Sequence, residues 1–421
     1  LAGVAAQNLV RVFLLRERLR SAGGGDRPDT GPETAPAMAP GTVPEIRHLH
    51  LIGAGVMGGD IAAWAALRGL RVSLQDRRPE DLTRALQRAE DLFRRKLGDP
   101  LAARAALDRL IPDARGEGLG RADLVLEAIV EDAGAKRALF AAIEPRLKPG
   151  AWLATNTSSI PLETLAEGLA RPGRLVGLHF FNPVARMPLI EVVRGAQTEA
   201  AALAAARHLA RRLDKLPLVV KSGPGFLVNR ILMPYLLESV TLVDEGVPPA
   251  RVDRAATAYG MPMGPVELAD TVGLDICLAV ARGLAGPTGE PPPASLLRRV
   301  ESGRLGRKSG EGYYRWEDGR IRRDGPASGP FDPEHQDRLI LRLLNEAVAC
   351  LREGVVADAD ALDAGLIFGA GFPPFRGGPL HDLARRGSRE TLTRLQALHQ
   401  RLGERFRPDP AWPSLTAGQP C

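Results

Sequence analysis

From His48 onward, short apolar runs alternate with longer stretches of helical periodicity. LHLIG, RVSLQD, ADLVLEAI and AWLAT have the length and composition of strands, and residues 56–69, 79–97 and 132–146 between them repeat apolar positions as helices do. Such alternation predicts right-handed βαβ units and a parallel sheet. RLVGLHF and MPLIEVVRG then follow each other across a Pro-containing loop too short for a crossover helix. They are expected to pair antiparallel at the sheet's edge.

After Gly223 the pattern becomes mainly helical and repeats itself. MPYLLESVTLVDEGV (233–247) resembles LRLLNEAVACLREGV (341–355), and GMPMGPVELAD (260–270) is answered by GFPPFRGGPLHDLA (371–384). Each copy is a helix ending in Glu-Gly-Val, a Pro/Gly turn and another helix. Gly286–Pro293 and Arg322–Pro333 read as loops. A spacing of about 110 residues is too long for a solenoid unit, so duplicated helical domains are expected.

Residues 1–20 form a basic amphipathic pattern with Leu9, Val12, Phe13 and Leu19 near one face, and Ser21–Pro44 is an aperiodic Gly/Pro-rich linker. The opening helix is expected to pack across the helical repeats; a membrane-surface or partner-binding helix is the other reading. The expected plan has five parts: a linker helix (1–20), a flexible linker (21–45), a Rossmann domain (46–222) and two helical domains (223–325 and 326–421). Its fold class is an α/β Rossmann-type doubly wound sheet with an antiparallel edge hairpin, followed by duplicated all-α domains.

Composition narrows this only a little. The 421 residues, 44% hydrophobic and 25% charged, suit a soluble protein with two or three cores. No apolar run approaches the ~18 residues of a membrane span. The net charge of +6 comes from arginine, with six lysines among 56 basic residues, and the arginines are scattered, which argues against nucleic-acid binding. A mild positive bias equally suits an anionic substrate and a merely solvated surface. Cys277, Cys350 and Cys421 are widely separated and show no metal-ligand spacing, so a reducing, cytoplasmic setting without a metal site is expected. The chain opens on Leu1 without a signal pattern, as part of a longer polypeptide would.

The chemistry concentrates in two places. Gly53-Ala54-Gly55-Val56-Met57-Gly58 follows the strand LHLI and opens a helix. Gly53 permits a tight turn, Gly55 lets the backbone approach a pyrophosphate and Gly58 lets helix and strand pack closely, while the helix start at Val56 and Met57 turns free amides toward the phosphates. Asp76, ending the second strand, is placed to accept from the adenosine ribose hydroxyls of NAD. Arg77 and Arg78 behind it leave NADP open.

The second place is RLVGLHF-FNPVAR-MPLIEVV. If its strands pair around Ala185, His179 and Glu191 stand directly opposite, with Cβ atoms roughly 4.5–5.5 Å apart. The carboxylate then holds one imidazole nitrogen and the other is free to take a proton from an alcohol. Glu191 also interrupts an apolar run, where a buried charge needs a partner. Thr155-Asn156-Thr157-Ser158-Ser159 follows the strand AWLA, and its hydroxyls and amide either bind substrate or cofactor or cap a helix at 160–169.

GAGVMGGDIA, EAIVED, NTSS, HFFNP with Glu191, PGFLVNR and MGPVEL, in this order over about residues 47–315, resemble the L-3-hydroxyacyl-CoA dehydrogenase family. The resemblance implies that His179 is the catalytic base and Glu191 its orienter, that Ser158 and Asn229 contact the substrate, and that Asn182 organises the site. It implies NAD as cofactor, held by Gly53, Gly55, Gly58, Asp76, Glu131 and Lys136, with Val56, Met57 and Asn156 beside them. Ala133 and Gly134 stand where the family carries more polar residues. FGAGFPPFRGGPL resembles the C-terminal part of the multifunctional fatty-acid oxidation α subunit, and the opening helix resembles the segment joining that subunit's two halves. A hydratase half is then expected to be absent. A 3-hydroxyacyl-CoA substrate, a thiolase subunit as partner and a homo-oligomer are the implied associations. Two rival readings are a β-hydroxyacid dehydrogenase using Lys215 or Lys221, and a non-catalytic NAD-binding, crystallin-like protein.

Overall fold

The computed structural model describes residues 3–21, 45–288, 292–322 and 332–416. The linker expected at 21–44, the loops expected at 286–293 and 322–333, and Cys421 lie wholly or partly outside them. The chain divides into two compact units: Arg16–Phe226, and Leu227–Cys421 together with Leu1–Leu15. Among the described residues no helix is long and apolar enough to cross a membrane.

The helix α1 (Val4–Ser21) comes first. The α/β unit then runs β1 (His48–Ile52), α2 (Val56–Leu67), β2 (Arg71–Gln75), α3 (Pro79–Leu97), α4 (Pro100–Asp108), β3 (Leu110–Pro112) and β4 (Leu124–Glu127). It continues with α5 (Ala133–Ile143), β5 (Trp152–Thr155), α6 (Leu162–Ala166), β6 (Leu175–Phe180), β7 (Leu189–Arg194), α7 (Ala200–Arg212) and β8 (Leu216–Lys221). One eight-stranded sheet has the order β3-β2-β1-β4-β5-β6-β7-β8. The strands β4, β5 and β6 are buried along their whole length, as expected of strands covered on both faces.

The hairpin β6–β7 is antiparallel, as expected, but it is not the edge. β8 pairs parallel with β7 on its outer side and takes that position. Pro217 within LPLVVK masks this strand from its pattern, and an edge is where a sheet tolerates a residue without an N–H. The three-residue β3, ending in Pro112, closes the other edge.

The strand order reverses between β1 and β4, and the loops after β1, β2, β4 and β5 all leave the same end of the sheet. This is the crevice where doubly wound sheets bind ligands. It carries the Gly53–Gly58 turn, Asp76, Glu131 and the Asn156–Ser159 segment.

The helical unit contains α8 (Val228–Asp244), α9 (Pro249–Tyr259), α10 (Pro265–Val272), α11 (Leu274–Thr288) and α12 (Ala294–Glu301). A small hairpin of β9 (Arg315–Glu317) and β10 (Arg320–Arg322) follows. Then come α13 (Pro333–Arg352), α14 (Ala359–Ala370), α15 (Pro379–Arg386), α16 (Ser388–Leu402) and α17 (Trp412–Thr416). The repeat is visible atom by atom. Asp253 on α9 accepts the Val266 and Glu267 amides at the start of α10, at 2.8 and 3.2 Å. Asp363 on α14 accepts the Leu380 and His381 amides at the start of α15, also at 2.8 and 3.2 Å.

The copies differ in the third partner of this aspartate. Asp253 receives the Tyr314 hydroxyl at 2.6 Å, whereas Asp363 receives the Arg11 guanidinium of α1 at 2.8 Å. Arg11 also bonds Asp360 and the Gly377 carbonyl, and Asn8 donates to the Phe375 carbonyl. The docked face of α1 is therefore Asn8, Arg11 and Leu15, while Leu9 and Phe13 are 51% and 59% exposed. This corrects the apolar face expected for the helix in part: Leu19 is buried as expected and Val12 half-buried, but Leu9 and Phe13 face out, and the captured Asn8 and Arg11 lie on the packed side.

Candidate active site

The Gly-rich turn between β1 and α2 is built as its residues require. Gly53 has φ +108°, and a Cβ there would lie 2.5 Å from the Ala128 carbonyl oxygen. A Cβ on Gly58 would lie 1.9 Å from the Gly53 carbonyl oxygen. Gly55 differs: nothing lies within 4 Å of its Cβ position, so no part of the protein demands a glycine there. A backbone stripped of its side chain and facing open space at a helix start suits a group that must come close, such as a dinucleotide pyrophosphate. Val56 is exposed and Met57 part-buried at the first turn of α2.

Asp76 latches this turn, accepting the Ala54 amide at 2.7 Å with one oxygen and the Arg78 amide at 3.0 Å with the other. Of the arginines on α3, Arg88 reaches the turn, donating to the Gly55 carbonyl at 3.0 Å and pairing with Asp60. Arg78 is engaged by Asp81. The arginines of 84–95 are alike in sequence, as phosphate partners or a solvated helix face, and Arg88 stands out only because α3 lies against α2.

His179 and Glu191 are register partners across β6 and β7. Glu191 Oε2 lies 2.7 Å from His179 Nδ1. The pair is buried, Glu191 fully and His179 at 6% exposure. A buried carboxylate facing Nδ1 makes that nitrogen the proton carrier, so Nε2 is the basic one. Among the described residues only Nδ1 has a hydrogen-bond partner. Phe181 and Phe226 rings flank the imidazole at 4.5 and 5.8 Å between centroids.

Beneath this pair lies a polar network. Asn156, after β5, accepts the Phe180 amide at 2.9 Å and so ties its loop to the strand carrying His179. Glu131 collects the turn after it: one carboxylate oxygen is approached by the Thr157 hydroxyl at 2.7 Å, the Ser158 amide at 2.7 Å and the Ser159 amide at 3.1 Å. The Ser158 hydroxyl lies 3.1 Å from the same oxygen. Burial works to raise the Glu131 carboxyl, but Lys136 and these donors overcome it and hold it below the ordinary carboxylate range. Lys136 is 1% exposed, with its ammonium 2.6 Å from Glu127 and 3.3 Å from Glu131. Asp132 caps α5 through the Ala135 amide at 2.7 Å, so Ala133 and Gly134 still begin a regular helix.

Glu127 was missed in the sequence, although it closes the apolar run LVLE as Glu191 interrupts LIEVV. The same signal, an acid inside an apolar strand, marks both. Asn182 is exposed and its bond to Pro183 is cis. Asn229 is the second residue of α8, in the helical unit. Lys215 is occupied elsewhere, donating to the Val184 and Met187 carbonyls and lying 4.5 Å from the Trp64 ring centroid. Burial, aided by Arg68, pushes its amine down to about 8. Lys221 is exposed at the end of β8.

Known proteins resemble this chain over most of its length. Residues 48–223 match the family model of the 3-hydroxyacyl-CoA dehydrogenase NAD binding domain, and residues 225–316 match that of the C-terminal domain. A fatty acid oxidation complex subunit alpha from Psychrobacter sp. (strain PRwf-1) is 37% identical over 360 residues, 80% of this chain and 50% of that one. The chain thus spans about half the length of the curated relatives it matches. The crystal structure of (S)-3-hydroxybutyryl-CoA dehydrogenase from Ralstonia eutropha is 34% identical and covers 65% of this chain and 100% of its own, with a TM-score of 0.62. That of 3-hydroxybutyryl-CoA dehydrogenase from Escherichia coli K12 covers 89% of this chain and 99% of its own, at a TM-score of 0.79 and 27% identity. Two adjoining domain matches, and a relative covered from end to end, lead to one assignment: the chain belongs to the 3-hydroxyacyl-CoA dehydrogenase family.

Proposed function

We propose that this chain oxidises L-3-hydroxyacyl-CoA to 3-ketoacyl-CoA, with His179 as general base and Glu191 as its orienter. The observation that carries this is the buried His179–Glu191 pair, 2.7 Å apart, in the same unit as a complete dinucleotide fingerprint. Bound NAD+ supplies the hydride acceptor. Gly53, Gly55, Val56, Met57 and Gly58 would hold its pyrophosphate, Asp76 its ribose, and Glu131, Lys136 and Asn156 would shape the wall beside it.

Glu191 keeps the proton on Nδ1, so Nε2 takes the proton of the substrate alcohol as the C–H bond at the same carbon breaks. The carboxylate then stabilises the imidazolium that results. In the reverse direction the same nitrogen returns the proton to the ketone. By family resemblance Ser158 and Asn229 are assigned contacts with the substrate and Asn182 a part in organising the site.

The test is NADH oxidation with acetoacetyl-CoA and longer 3-ketoacyl-CoAs, for wild type, His179→Gln and Glu191→Gln. Turnover is expected to fall by roughly 100- to 10,000-fold in His179→Gln, with NADH affinity little changed. Wild-type turnover surviving in both variants would sink the mechanism.

Relatives named as the alpha subunit of a fatty acid oxidation complex support a place in fatty-acid β-oxidation. We assign the chain a cytoplasmic location, assembly as a homo-oligomer and association with a thiolase subunit. Light scattering of the purified chain, alone and mixed with a candidate thiolase, tests the two assemblies; a monomer that ignores the thiolase overturns both.

A further inference from the structure

Glu127 takes no part in the chemistry above, yet the polar network converges on it. It is the last residue of β4 and has no exposed surface. A carboxylate in that position needs partners for its charge. One oxygen accepts the Lys136 ammonium at 2.6 Å and the Ile129 amide at 2.7 Å. The other accepts the Thr155 hydroxyl at 2.7 Å.

Both side-chain partners lead to the same turn. Lys136 lies 3.3 Å from one oxygen of Glu131, whose other oxygen gathers Thr157, Ser158 and Ser159. The Thr155 hydroxyl oxygen accepts the Thr157 amide at 3.2 Å. The turn 157–159 is thus suspended from Glu127 by an ionic arm through Lys136 and Glu131, and by a neutral arm through Thr155.

We propose that Glu127 is a positioning residue for the dehydrogenation: through Lys136–Glu131 and through Thr155 it holds the Thr157–Ser159 turn, and with it the Ser158 hydroxyl, where that turn meets substrate. This rests on the substrate role given to Ser158 above. A carboxylate is required because Lys136 divides its charge between two acids. With Gln at 127 the ammonium has Glu131 alone, moves onto it and draws that carboxylate off the turn. Gln keeps the side-chain length and an acceptor for Thr155, so it cuts the ionic arm and spares the neutral one.

Three full-length proteins test this: wild type, Glu127→Gln, and Glu127→Gln combined with Lys136→Met. Amide hydrogen exchange in residues 157–159, without ligand, is expected to quicken roughly tenfold or more in both variants. The melting temperature should fall in Glu127→Gln, where a buried ammonium has lost a partner, and recover when Lys136 is also removed. The turnover number for NADH oxidation with acetoacetyl-CoA should drop by roughly 10- to 100-fold in Glu127→Gln; the double variant, which also removes Lys136 from the cofactor wall, is read by exchange and melting alone. Stability regained while exchange at 157–159 stays fast, because Glu131 has lost its ionic anchor, is what positioning predicts. Exchange returning to the wild-type rate with the melting temperature makes Glu127 a purely structural residue and overturns the inference, as does exchange unchanged in both variants or undiminished turnover in Glu127→Gln. A wild type unable to oxidise NADH overturns the dehydrogenase reading instead, and the exchange rates still decide on Glu127.

Discussion

At the scale of single residues, the glycines of the β1–α2 turn separate folding from binding. Gly58→Ala forces a Cβ to within 1.9 Å of the Gly53 carbonyl oxygen, so it should destabilise the chain by about 1–3 kcal/mol as well as weaken NADH binding. Gly55→Ala meets nothing within 4 Å and should leave stability within about 0.5 kcal/mol, while NADH affinity falls. Thermal melting and fluorescence titration with NADH check the pair; equal effects of both variants on stability would contradict the account. His48 and His50, which share the Ser73 hydroxyl, give a pH signature. Burial pushes both imidazoles below their ordinary 6.5, with Arg71 adding to the effect at His48. The unfolded chain therefore takes up protons near pH 6.5 that the folded chain refuses. Stability is full above that value and declines as pH falls below it. Melting temperatures between pH 8 and pH 5 should show this decline, and His50→Gln, which removes one of the two groups, should flatten it. At this scale much was legible: the spacing of His179 and Glu191 already put them in register. The partners of Glu127 and Arg88 were not, since they come from other elements.

At the scale of elements, α1 shows how tertiary capture overrides an amphipathic pattern. Its apolar stripe invited the prediction that Leu9 and Phe13 face inward, but the Arg11 guanidinium finds Asp360 and Asp363, and Asn8 finds the Phe375 carbonyl. Asp363 is fully buried, and burial pushes its carboxyl up to about 6 against the pull of Arg11. Arg11→Ala is expected to cost about 2–3 kcal/mol at neutral pH, because an ionised carboxylate is left without its charged donor. The sign with pH follows from the raised value. The acid form is favoured in the folded state, so stability is fully present below the ordinary carboxylate range and is lost as pH rises through about 6. The penalty of Arg11→Ala should therefore be larger at pH 8 than at pH 5, measured by denaturant melts. A penalty independent of pH would mean that packing, not charge, holds α1. Removing the whole helix should lower stability and leave liposome binding unchanged.

At the scale of the whole molecule, the repeat makes the second helical copy a structural partner of the first. Arg338 on α13 is buried and pairs with Glu238 and Glu245, and Arg230 on α8 pairs with Glu346 and Glu353. A chain ending at Arg322 would deprive Glu238 of both its arginines, Arg338 and Arg405, and strip the apolar cover from α8. It is expected to aggregate or melt well below the full chain; a soluble truncation with an unchanged melting temperature would refute this coupling. The alternation of strand and helix patterns, the Gly-rich turn, the internal repeat and the His–Glu register were determined by the sequence itself, because each depends on residues close in the chain or on the strict period of a strand. The tertiary structure alone decided the rest. It placed β8 outside the hairpin, where Pro217 is tolerated, turned the Asn8–Arg11–Leu15 face of α1 inward, and gathered Glu127, Lys136, Glu131 and Thr155 around the turn that carries Ser158. Those outcomes depend on which buried charge meets which donor, and no periodicity along the chain encodes that meeting.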